Sequence, residues 1–450
     1  MRKVSLLLVL AILPVTLIAD DMAVTVYNSD LGVISETRKL EFKKGVNRLA
    51  FRDVPSRIDA NSVRFDIAAS GRNVTILEQN YAFDLVSPAK VYDRYIDKEI
   101  EMVDKEGRLY SGTLLSAASG SIILREKAGG IKIVLTDNIT EVHFPSLPDG
   151  LITRPTLFWL YQSDFAGELE SKVSYQTAGM TWNAEYVGVL NPDENQLSLS
   201  GWAAINNVSG KTYEDASLKL VAGDIHRVAK KRPPVPRSAD MVMLESAAGA
   251  GFEEKAFFEY HLYTLPRRAT VADKEVKQIS LFDPARAAVE KKYLYKPDLD
   301  SKDVEVVIKL KNSTATGLGM PLPAGRVRMF KADEDGSLIL LGEDEIEHTP
   351  KNEELSLAVG TAFDVVAEEK LVNQILVSKQ VEDRLYEIEL RNRKDEAVTV
   401  DVEKRLYGFW EILEADFEYM KKDAYTMAAS VNVGAGQTAV MKYKVRFTGK

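Results

Sequence analysis

Residues 439–447, AVMKYKVRF, decide the fold because apolar and charged side chains alternate along them. Side chains of a strand point to opposite faces in turn, so the two sets separate: Met441, Tyr443, Val445 and Phe447 on one face, Lys442, Lys444 and Arg446 on the other. The same alternation recurs in VEVVIKL (304–310), YEIELRN (386–392) and VTVDVEK (398–404). Helical periodicity is scarce. The sequence therefore predicts an all-β protein made of immunoglobulin-like or fibronectin-like β-sandwich domains.

Turn and cap residues mark where predicted elements begin and end. The Asp-Gly pair at 335–336 lies between the apolar runs 326–330 and 337–341, which predicts a β-hairpin. Ser87 is a suitable N-cap and Pro88 a suitable first residue for a short helix that continues through AKVYDRYI.

Residues 98–148 have the pattern of a separate small domain. Five apolar runs, EIEMV, YSGTLLS, SIILRE, IKIVL and ITEVHF, are separated by short polar turns. This spacing predicts an inserted five-stranded barrel of the SH3-like or Sm-like kind. Such barrels can bind RNA or peptides, but the acidic composition and the lack of interleaved aromatic and arginine side chains argue against RNA.

A weak repeat appears three times along the chain. An alternating strand runs into Asn206 and Asn207, into Asn312 and into Asn392, and each time a polar turn and a second apolar run follow. We interpret each copy as a strand, a turn stabilised by the Asn side chain, and a returning strand. Because Asn is a common turn residue, the pattern fits either a duplicated unit or three unrelated turns.

These patterns divide the chain into seven segments. Residues 229–255 combine a basic cluster, several prolines and a tail of small residues, which predicts a flexible linker. The predicted boundaries are a signal peptide at 1–19, an N-terminal β segment at 20–88, the small β-barrel at 89–148, the first part of a central β-sandwich at 149–228, the linker at 229–255, the second part of the central sandwich at 256–368, and a C-terminal immunoglobulin-like sandwich at 369–450.

The N-terminus has the composition of an export signal. Arg2 and Lys3 precede an apolar run at 4–19, and this run is shorter than the roughly 20 residues that span a bilayer and is interrupted by Pro14. We predict cleavage near Ala19 and a periplasmic or secreted mature chain without a transmembrane helix. An uncleaved anchor is the alternative.

Composition limits the possible partners and bonds. The sequence contains no cysteine, which excludes disulfides, thiolate metal sites and a lipid-modified N-terminal cysteine. The net charge is −9, and removal of Arg2 and Lys3 makes it more negative by two. Such a charge disfavours nucleic acid and anionic membrane as general partners.

No complete catalytic or metal-binding motif is present. SGKT at 209–212 resembles the end of a phosphate-binding loop, but Ile205 stands where the first glycine of that loop belongs. The chain has no G-x-S-x-G or H-E-x-x-H motif. The histidines are far apart, and none has metal-ligand spacing to another: His143, His226, His261 and His348. We predict no catalytic, cofactor-binding or metal site.

Carboxylates are numerous and are the basis of an enzymatic alternative. Glu343, Glu345 and Glu347 alternate, so we expect them to line one solvated strand face. The acidic turn at 333–336 has the ligands of only the first half of a calcium loop. A glycoside hydrolase needs two carboxylates about 5–9 Å apart in a cleft, which spacing along the chain does not determine.

The stretch 259–282, EYHLYTLPRRATVADKEVKQISLF, is the one most like an active-site loop. Its alternation suits a strand that re-enters a sheet after the linker, with His261 and Tyr263 on one face and Tyr260 and Leu262 on the other. We therefore interpret His261 as structural, whereas a deep pocket around it would favour an enzyme.

Several stretches together resemble the bacterial family of exported proteins called domain of unknown function 4139, some of whose members are labelled mucoidy-inhibitor-A-like. They occupy residues 26–65, 173–190, 199–225, 257–282, 342–365 and 386–410. Members of the mucoidy-inhibitor type often carry a long coiled coil after the N-terminal segment, where this chain has the predicted small barrel. The resemblance implies an exported β-rich protein and brings no catalytic residues.

Two functions remain open at this point. The first is a non-enzymatic envelope protein that binds a protein or glycan partner through loops or strand edges, without cofactor. The alternative is a carboxylate-dependent hydrolase that acts on glycan or peptide.

Overall fold

The computed structural model describes residues 21–67, 73–148, 151–223, 225–226, 252–258, 260–297 and 301–449. The predicted signal peptide at 1–19, with its cleavage point at Ala19, and residues 229–251 of the predicted linker lie outside the described residues. The described chain is almost entirely β-structure with one α-helix. This confirms the all-β prediction.

The elements are numbered in chain order. The first part contains β1 (Asp21–Tyr27), β2 (Gly32–Phe42), β3 (Gly45–Arg52), β4 (Ile58–Ile67), β5 (Val74–Ala82), α1 (Pro88–Tyr95), β6 (Glu99–Asp104), β7 (Leu109–Ala118), β8 (Ser121–Arg125), β9 (Ile131–Leu135) and β10 (Ile139–His143). The middle part contains β11 (Thr156–Ser163), β12 (Gly167–Thr177), β13 (Met180–Leu190), β14 (Gln196–Asn207), β15 (Tyr213–Ala222), β16 (Glu253–Phe257), β17 (Tyr260–Thr264), β18 (Ala269–Val271), β19 (Glu275–Ala288), β20 (Glu290–Tyr295) and β21 (Asp303–Lys311). The last part contains β22 (Gly325–Ala332), β23 (Leu338–Ile346), β24 (Glu354–Ser378), β25 (Val381–Asn392), β26 (Val398–Arg405), β27 (Phe409–Ala415), β28 (Met420–Asp423), β29 (Thr426–Val433) and β30 (Thr438–Thr448). Two 3-10 helices, Thr136–Asn138 and Thr314–Thr316, complete the description.

Three sheets, with part of a fourth described below, enclose the largest core, to which the N-terminal and central parts of the chain both contribute. The sheet orders are β16-β17-β15-β1-β2-β12-β4 with β18 also on β15, β3-β11-β5, and β19-β14-β13-β22-β23. Fully buried aromatic rings, among them Trp159, Trp182 and Tyr186, belong to this single core. Because β1 pairs in parallel with β15 and β2 pairs with β12, the predicted N-terminal β segment is interleaved with the central sandwich.

The small domain contains the five predicted strands, and they form an open sheet rather than a closed barrel. Its order is β10-β6-β7-β8-β9, and its edge strands β9 and β10 do not pair with each other. Ile100, Met102 and Leu114 are buried in its core, to which α1 contributes Tyr95. Since the helix supplies part of the cover over these side chains, the core does not depend on closure of the sheet.

Helix α1 begins where the sequence predicts it. Ser87 is the N-cap, and its hydroxyl oxygen accepts a hydrogen bond of 3.4 Å from the backbone N–H of Lys90. The small domain as a whole is inserted between β5 and β11, which are antiparallel neighbours in one sheet. A bridge between Leu85 and Ile152 closes the base of the insertion.

The C-terminal sandwich is one nine-stranded sheet, in the order β27-β30-β25-β24-β21-β20-β26-β29-β28. Side chains from both arms of this sheet, such as Ile388 and Val400, share a second core. In β30, Met441, Tyr443 and Val445 are buried as the alternation of 439–447 predicts.

Two strands, β21 and the 25-residue β24, contribute side chains to both sandwiches. In β24, Leu355 and Leu357 belong to the large core, whereas Val365 and Ala367 belong to the C-terminal core. The predicted boundary between residues 368 and 369 therefore lies inside one strand. Strand β20 also contributes to the C-terminal core, through Tyr293.

The predicted hairpin at 326–341 is present. Strands β22 and β23 pair antiparallel, and Gly336 in their turn has φ of 84°, a conformation that glycine adopts without strain. This confirms the prediction made from the Asp-Gly pair.

The three repeated asparagines make the same set of hydrogen bonds, and all three are fully buried. Each side-chain NH₂ donates to three backbone carbonyl oxygens: Asn207 to those of Lys211, Val271 and Ala272, Asn312 to those of Met320, Thr349 and Pro350, and Asn392 to those of Glu396, Val433 and Gly434. Each Oδ1 accepts from a nearby backbone N–H, that of Ser209, Gly319 or Lys394. Each asparagine thus fixes the turn after its strand to a second turn distant in sequence.

Replacing Asn207 by Asp is expected to destabilise the large core. The change keeps the shape of the side chain but places a carboxylate oxygen against three carbonyl oxygens, so we expect a loss of about 3 kcal/mol. Urea unfolding followed by tryptophan fluorescence measures it. The control is Asn206→Asp at the half-buried neighbour. Equal stability of the two variants would contradict the role given to Asn207.

Acid is expected to weaken the small domain through Asp104. Burial alone would raise the pKa of this carboxyl group, but hydrogen bonds from the backbone N–H groups of Arg108 and Glu106, the Arg108 guanidinium and the Tyr110 hydroxyl outweigh burial and lower the pKa to about 2. A lowered folded-state pKa stabilises the domain above the unfolded-state value of 3.8, and this contribution disappears as the pH falls through about 2.

Amide hydrogen exchange in β6 and β7 between pH 4 and pH 2 tests this expectation. The unmodified domain should lose protection over this interval, and Asp104→Asn should remove much of the difference. Asp137→Asn, at an exposed aspartate of the same domain, serves as the control. A pH profile that is the same in Asp104→Asn and in the unmodified chain would refute the assignment.

Candidate ligand-binding cleft

His261 lies in a strand, as the sequence predicts. It is in β17, which pairs with β15 and with β16. Its Nδ1 is 2.7 Å from Oε1 of Glu254 on β16, and its side chain is partly exposed. Tyr263 is buried and donates a hydrogen bond to the carbonyl oxygen of Pro321. The histidine is therefore part of a paired sheet, and it does not line the cleft described below.

The remaining histidines lie in separate parts of the molecule. His143 is exposed on β10, with Nε2 3.3 Å from Oε1 of Glu141. His226 is exposed, and Nδ1 of His348 accepts from the backbone N–H of Ala324. Within the described ranges, no group of three or more potential metal ligands lies close enough together to hold an ion.

The alternating glutamates at 343, 345 and 347 are exposed, as expected. Glu343 binds the guanidinium of Arg328 at 2.8 Å. The same guanidinium reaches a carboxylate that the sequence analysis did not single out, the buried Glu185, at 2.9 Å. The acidic side chains on this sheet are thus used in ion pairs.

Lys211, the lysine of the SGKT stretch, belongs to a buried polar network. Both carboxylate oxygens of the fully buried Glu36 lie 3.3 Å from Lys211 Nζ. Glu36 also accepts from Arg38 at 2.6 Å and from the Tyr175 hydroxyl at 2.9 Å. Burial lowers the pKa of Lys211 in spite of this carboxylate. The lysine therefore contacts a carboxylate inside the core and is not available to a phosphate.

The C-terminal core contains a second network of the same chemistry. Glu369 is buried and accepts a hydrogen bond of 2.7 Å from the Tyr443 hydroxyl. Lys404 donates to the other oxygen of this carboxylate. The ring of Tyr386 stacks on that of Tyr443 with centroids 5.2 Å apart. The large core and the C-terminal core therefore each hold a glutamate that is bound by a lysine and a tyrosine.

A cleft forms where β24 passes from the large core to the C-terminal core. Thr361 pairs with Glu305 of β21, but the next pair joins Val366 to Asp303, so β24 has three more residues than its partner here. Such a bulge changes the direction of side chains. Phe363 lies in the bulge and is 94% exposed.

The cleft has a volume of about 320 Å³, at the small end of the range for ligand pockets. Most of its wall is apolar, and four charged groups stand around it. The lining residues come from both sandwiches: Leu190, Glu194, Lys291, Tyr293, Val306, Ile308, Leu341, residues 359–364 and Lys394.

Glu194 is fixed by two lysines at one side of the cleft. It accepts hydrogen bonds from Lys291 and, at 2.6 Å, from Lys331. Burial alone would raise the pKa of Glu194, but these hydrogen bonds outweigh it and lower the pKa. Glu194 is therefore ionised at neutral pH and poorly suited to act as a general acid.

Tyr293 provides an aromatic wall between two cations. Lys291 Nζ lies 5.5 Å and Lys394 Nζ 5.6 Å from the centroid of its ring. The hydrogen bond from Lys394 to Tyr293 raises the pKa of this lysine, so it remains charged. The cleft thus combines apolar surface with cations, an arrangement suited to non-covalent binding of a group that has an apolar part and a negative charge.

Sequence reasoning did not find this cleft. Its residues are far apart along the chain, and none belongs to a catalytic or metal-binding motif. One signal was available: the run from 354 to 378 is far longer than an ordinary strand of 3–10 residues. A strand of that length must change partners, and irregular pairing is expected at the change.

A protein-family model described as a domain of unknown function (DUF4139) matches residues 171–406, more than half of the chain. The chain belongs to the DUF4139 family. A second model, an N-terminal domain of unknown function (DUF4140), matches residues 24–120. No curated protein matched the sequence.

In this DUF4139 protein the two matched regions meet in the Glu36 network. Glu36 and Arg38 come from the DUF4140 match, whereas Tyr175 and Lys211 come from the DUF4139 match. All residues that line the cleft lie within the DUF4139 match. The candidate cleft is therefore a feature of the DUF4139 region, and the buried network joins that region to the N-terminal one.

Replacing Glu36 by Ala is expected to destabilise the DUF4139 protein by about 3–5 kcal/mol, because Arg38 and Lys211 would remain buried without their counter-ion. The free energy of unfolding in urea measures the loss. Glu41→Ala, at an exposed position of the same strand, is the control and should change stability little. If Glu36→Ala were as stable as Glu41→Ala, the network would not hold the two regions together.

Proposed function

We propose that this DUF4139 protein is an exported, non-enzymatic binding protein of the bacterial cell envelope that holds a partner in the cleft between its two sandwiches. The observation that carries the proposal is Phe363, a nearly fully exposed aromatic ring beside an apolar cleft with lysines in its wall. Large exposed apolar side chains next to a cavity are characteristic of interaction sites.

The chemistry of the cleft favours a protein partner over a glycan. Leu190, Val306 and Ile308 offer aliphatic surface, which suits an apolar side chain better than the hydroxyl groups of a sugar. Lys394, which lies 3.5 Å from the exposed Glu396, would attract a carboxylate next to that side chain, whereas Lys291 is already bound to Glu194. The group bound is thus a segment of an envelope protein with neighbouring apolar and acidic residues.

Export is supported by the sequence of the N-terminus. Arg2 and Lys3, followed by the apolar run to Ala19, form the pattern of a cleavable signal. A chain without cysteine also requires no disulfide formation outside the cytoplasm. Among the helices of the described residues, none is long and apolar enough to cross a membrane. A periplasmic or secreted location follows from the signal.

The carboxylate-dependent hydrolase remains the alternative from composition alone. In the cleft, Glu194 is ionised and engaged by two lysines. Asp364 is the other carboxylate of the lining. This arrangement supports binding rather than proton transfer.

Photo-cross-linking from position 363 tests the binding site. The photoreactive amino acid p-benzoylphenylalanine replaces Phe363 in the chain expressed in its bacterium, the cells are fractionated, and the adduct is identified by mass spectrometry. We expect one reproducible envelope protein. The matched control carries the same residue at Phe83, another exposed phenylalanine, and should not give that adduct.

The assignment is then checked with purified components. Phe363→Ala and Lys394→Glu should each weaken binding of the identified protein to the mature chain by about tenfold or more. The first variant removes an aromatic anchor, and the second reverses the charge of a partly buried lysine in the wall of the cleft. A glycan adduct would favour the glycan partner instead. An adduct from position 83 as strong as that from position 363, or variants that bind normally, would refute the cleft as the binding site.

A further inference from the structure

The end of the C-terminal sandwich farthest from the cleft collects several turns. We call it the distal tip: residues 371–381, 405–410, 421–425 and 447–449. Strand pairing brings them together, since Thr448 pairs with both Val381 and Phe409. The backbone N–H of Leu406 also donates to the carbonyl oxygen of Tyr425. The tip is therefore one continuous surface.

The distal tip exposes large apolar side chains from three segments of the chain: the end of β24, the stretch from the β26–β27 connection into the start of β27, and the turn between β28 and β29. The exposed fractions are 73% for Leu376, 52% for Val377, 69% for Tyr407, 60% for Phe409 and 53% for Tyr425. Leu376, Tyr407 and Phe409 also line a concavity of about 320 Å³. An apolar patch of this kind on a folded protein marks an interaction site.

The backbone of the tip is poorly suited to pairing with another strand. Beyond Val366 the outer edge of β24 has no strand partner among the described residues, and residues 370–378 are all exposed. Two bulges, between 371 and 373 and between 376 and 378, interrupt the ladder. Bulges are a device that protects edges against strand addition. The side chains, and not the backbone, are therefore the binding elements.

Cations surround the apolar side chains. Within the part of the chain that the structure describes, Lys379 and Lys421 form no ion pair. The positive charge of Arg405 acts on the Asp423 carboxylate and helps to lower its pKa. Arg405 lies over the Tyr407 ring at 5.5 Å, and Lys421 over the Trp410 ring at 4.1 Å.

The nearby carboxylates are largely engaged. Glu382 binds Arg384 at 3.0 Å, and Glu403 binds Lys422 at 2.6 Å. The Asp423 carboxylate accepts from the backbone N–H of Tyr425 at 2.7 Å. In a protein of net charge −9, this tip therefore offers the positive charges of Lys379 and Lys421, and that of Arg405 shared with Asp423, beside its apolar side chains.

We propose that the distal tip docks on the surface of a phospholipid bilayer. Tyrosine and phenylalanine rings sit favourably at the level of the headgroups, and aliphatic side chains such as Leu376 reach the acyl region below them. Lys379, Arg405 and Lys421 then face the phosphate groups. The contact is shallow, so the free edge of β24 stays in the hydrated headgroup layer.

Vesicle sedimentation with the mature chain tests the proposal. The probes are phosphatidylcholine vesicles with and without phosphatidylglycerol. We expect binding that is stronger with phosphatidylglycerol and that decreases with salt. Replacing Lys379, Arg405 and Lys421 together by Ala should lower affinity by on the order of a hundredfold, since each cation near an anionic surface contributes about fivefold.

The apolar contribution is tested with a matched pair of double variants. Leu376→Asp with Phe409→Asp should abolish binding. Ile131→Asp with Ile133→Asp, at equally exposed aliphatic positions of the small domain, should leave binding unchanged. Circular dichroism and thermal unfolding confirm that both variants are folded.

The absence of cysteine from the chain permits a second readout. A dye that is sensitive to its environment, attached to the cysteine of Tyr407→Cys, should report an apolar surrounding when vesicles are added. The same dye on Ile133→Cys should not. The proposal is overturned if neither vesicle type binds, if the tip variant binds as well as the control, or if the tip instead drives self-association that its variant abolishes in sedimentation velocity.

Discussion

The architecture depends on one constraint, that β24 has to satisfy its backbone hydrogen bonds in two sandwiches at once. Its first half pairs with β21 and its second half with β25. Around residues 362–364 the strand cannot keep both ladders in register, and the extra residues form a bulge. Phe363 is exposed for this reason, and the cleft beside it is the space between two cores that share a strand. The candidate site is thus a consequence of the shared strand.

Polar groups inside the cores specify which segments meet. Buried ion pairs contribute little net stability compared with apolar packing, but an unpaired member of such a pair is strongly destabilising. Glu36 can be satisfied only when β2, β12 and the residues after Asn207 come together. The three buried asparagines act in the same way on turns that are distant in sequence. Both devices favour one arrangement of strands over the many that alternating sequences permit.

The sequence predicted the local structure well because local structure follows from local patterns. Alternation identified β30, the spacing of short apolar runs identified the five strands of the small domain, Ser87 identified the start of α1, and Asp335 with Gly336 identified a hairpin. Family membership was also predicted from short stretches and is confirmed by the match over residues 171–406.

Long-range pairing was not predictable from these patterns. Nothing in residues 21–27 indicates that β1 pairs in parallel with β15, and alternation does not show whether the edges of a five-stranded sheet meet. One buried feature can be recognised in the sequence: Glu36 and Arg38 occupy two inward positions of β2, between the buried residues Ile34 and Leu40. Charged side chains at strand positions that point into the core indicate a buried counter-ion, and Lys211 is that partner. The site itself depends on residues brought together by the shared strand.

A strand common to two domains also sets a fixed distance. A strand advances about 3.3 Å per residue, so the stretch of β24 from Phe363 to Leu376 spans roughly 40 Å. Domains connected by a loop would rotate about it, whereas these two are joined by continuous hydrogen-bonded sheet on both sides of the junction. The cleft and the distal tip therefore lie at the two ends of one hydrogen-bonded stretch of β24, and the length of that stretch sets the distance between them.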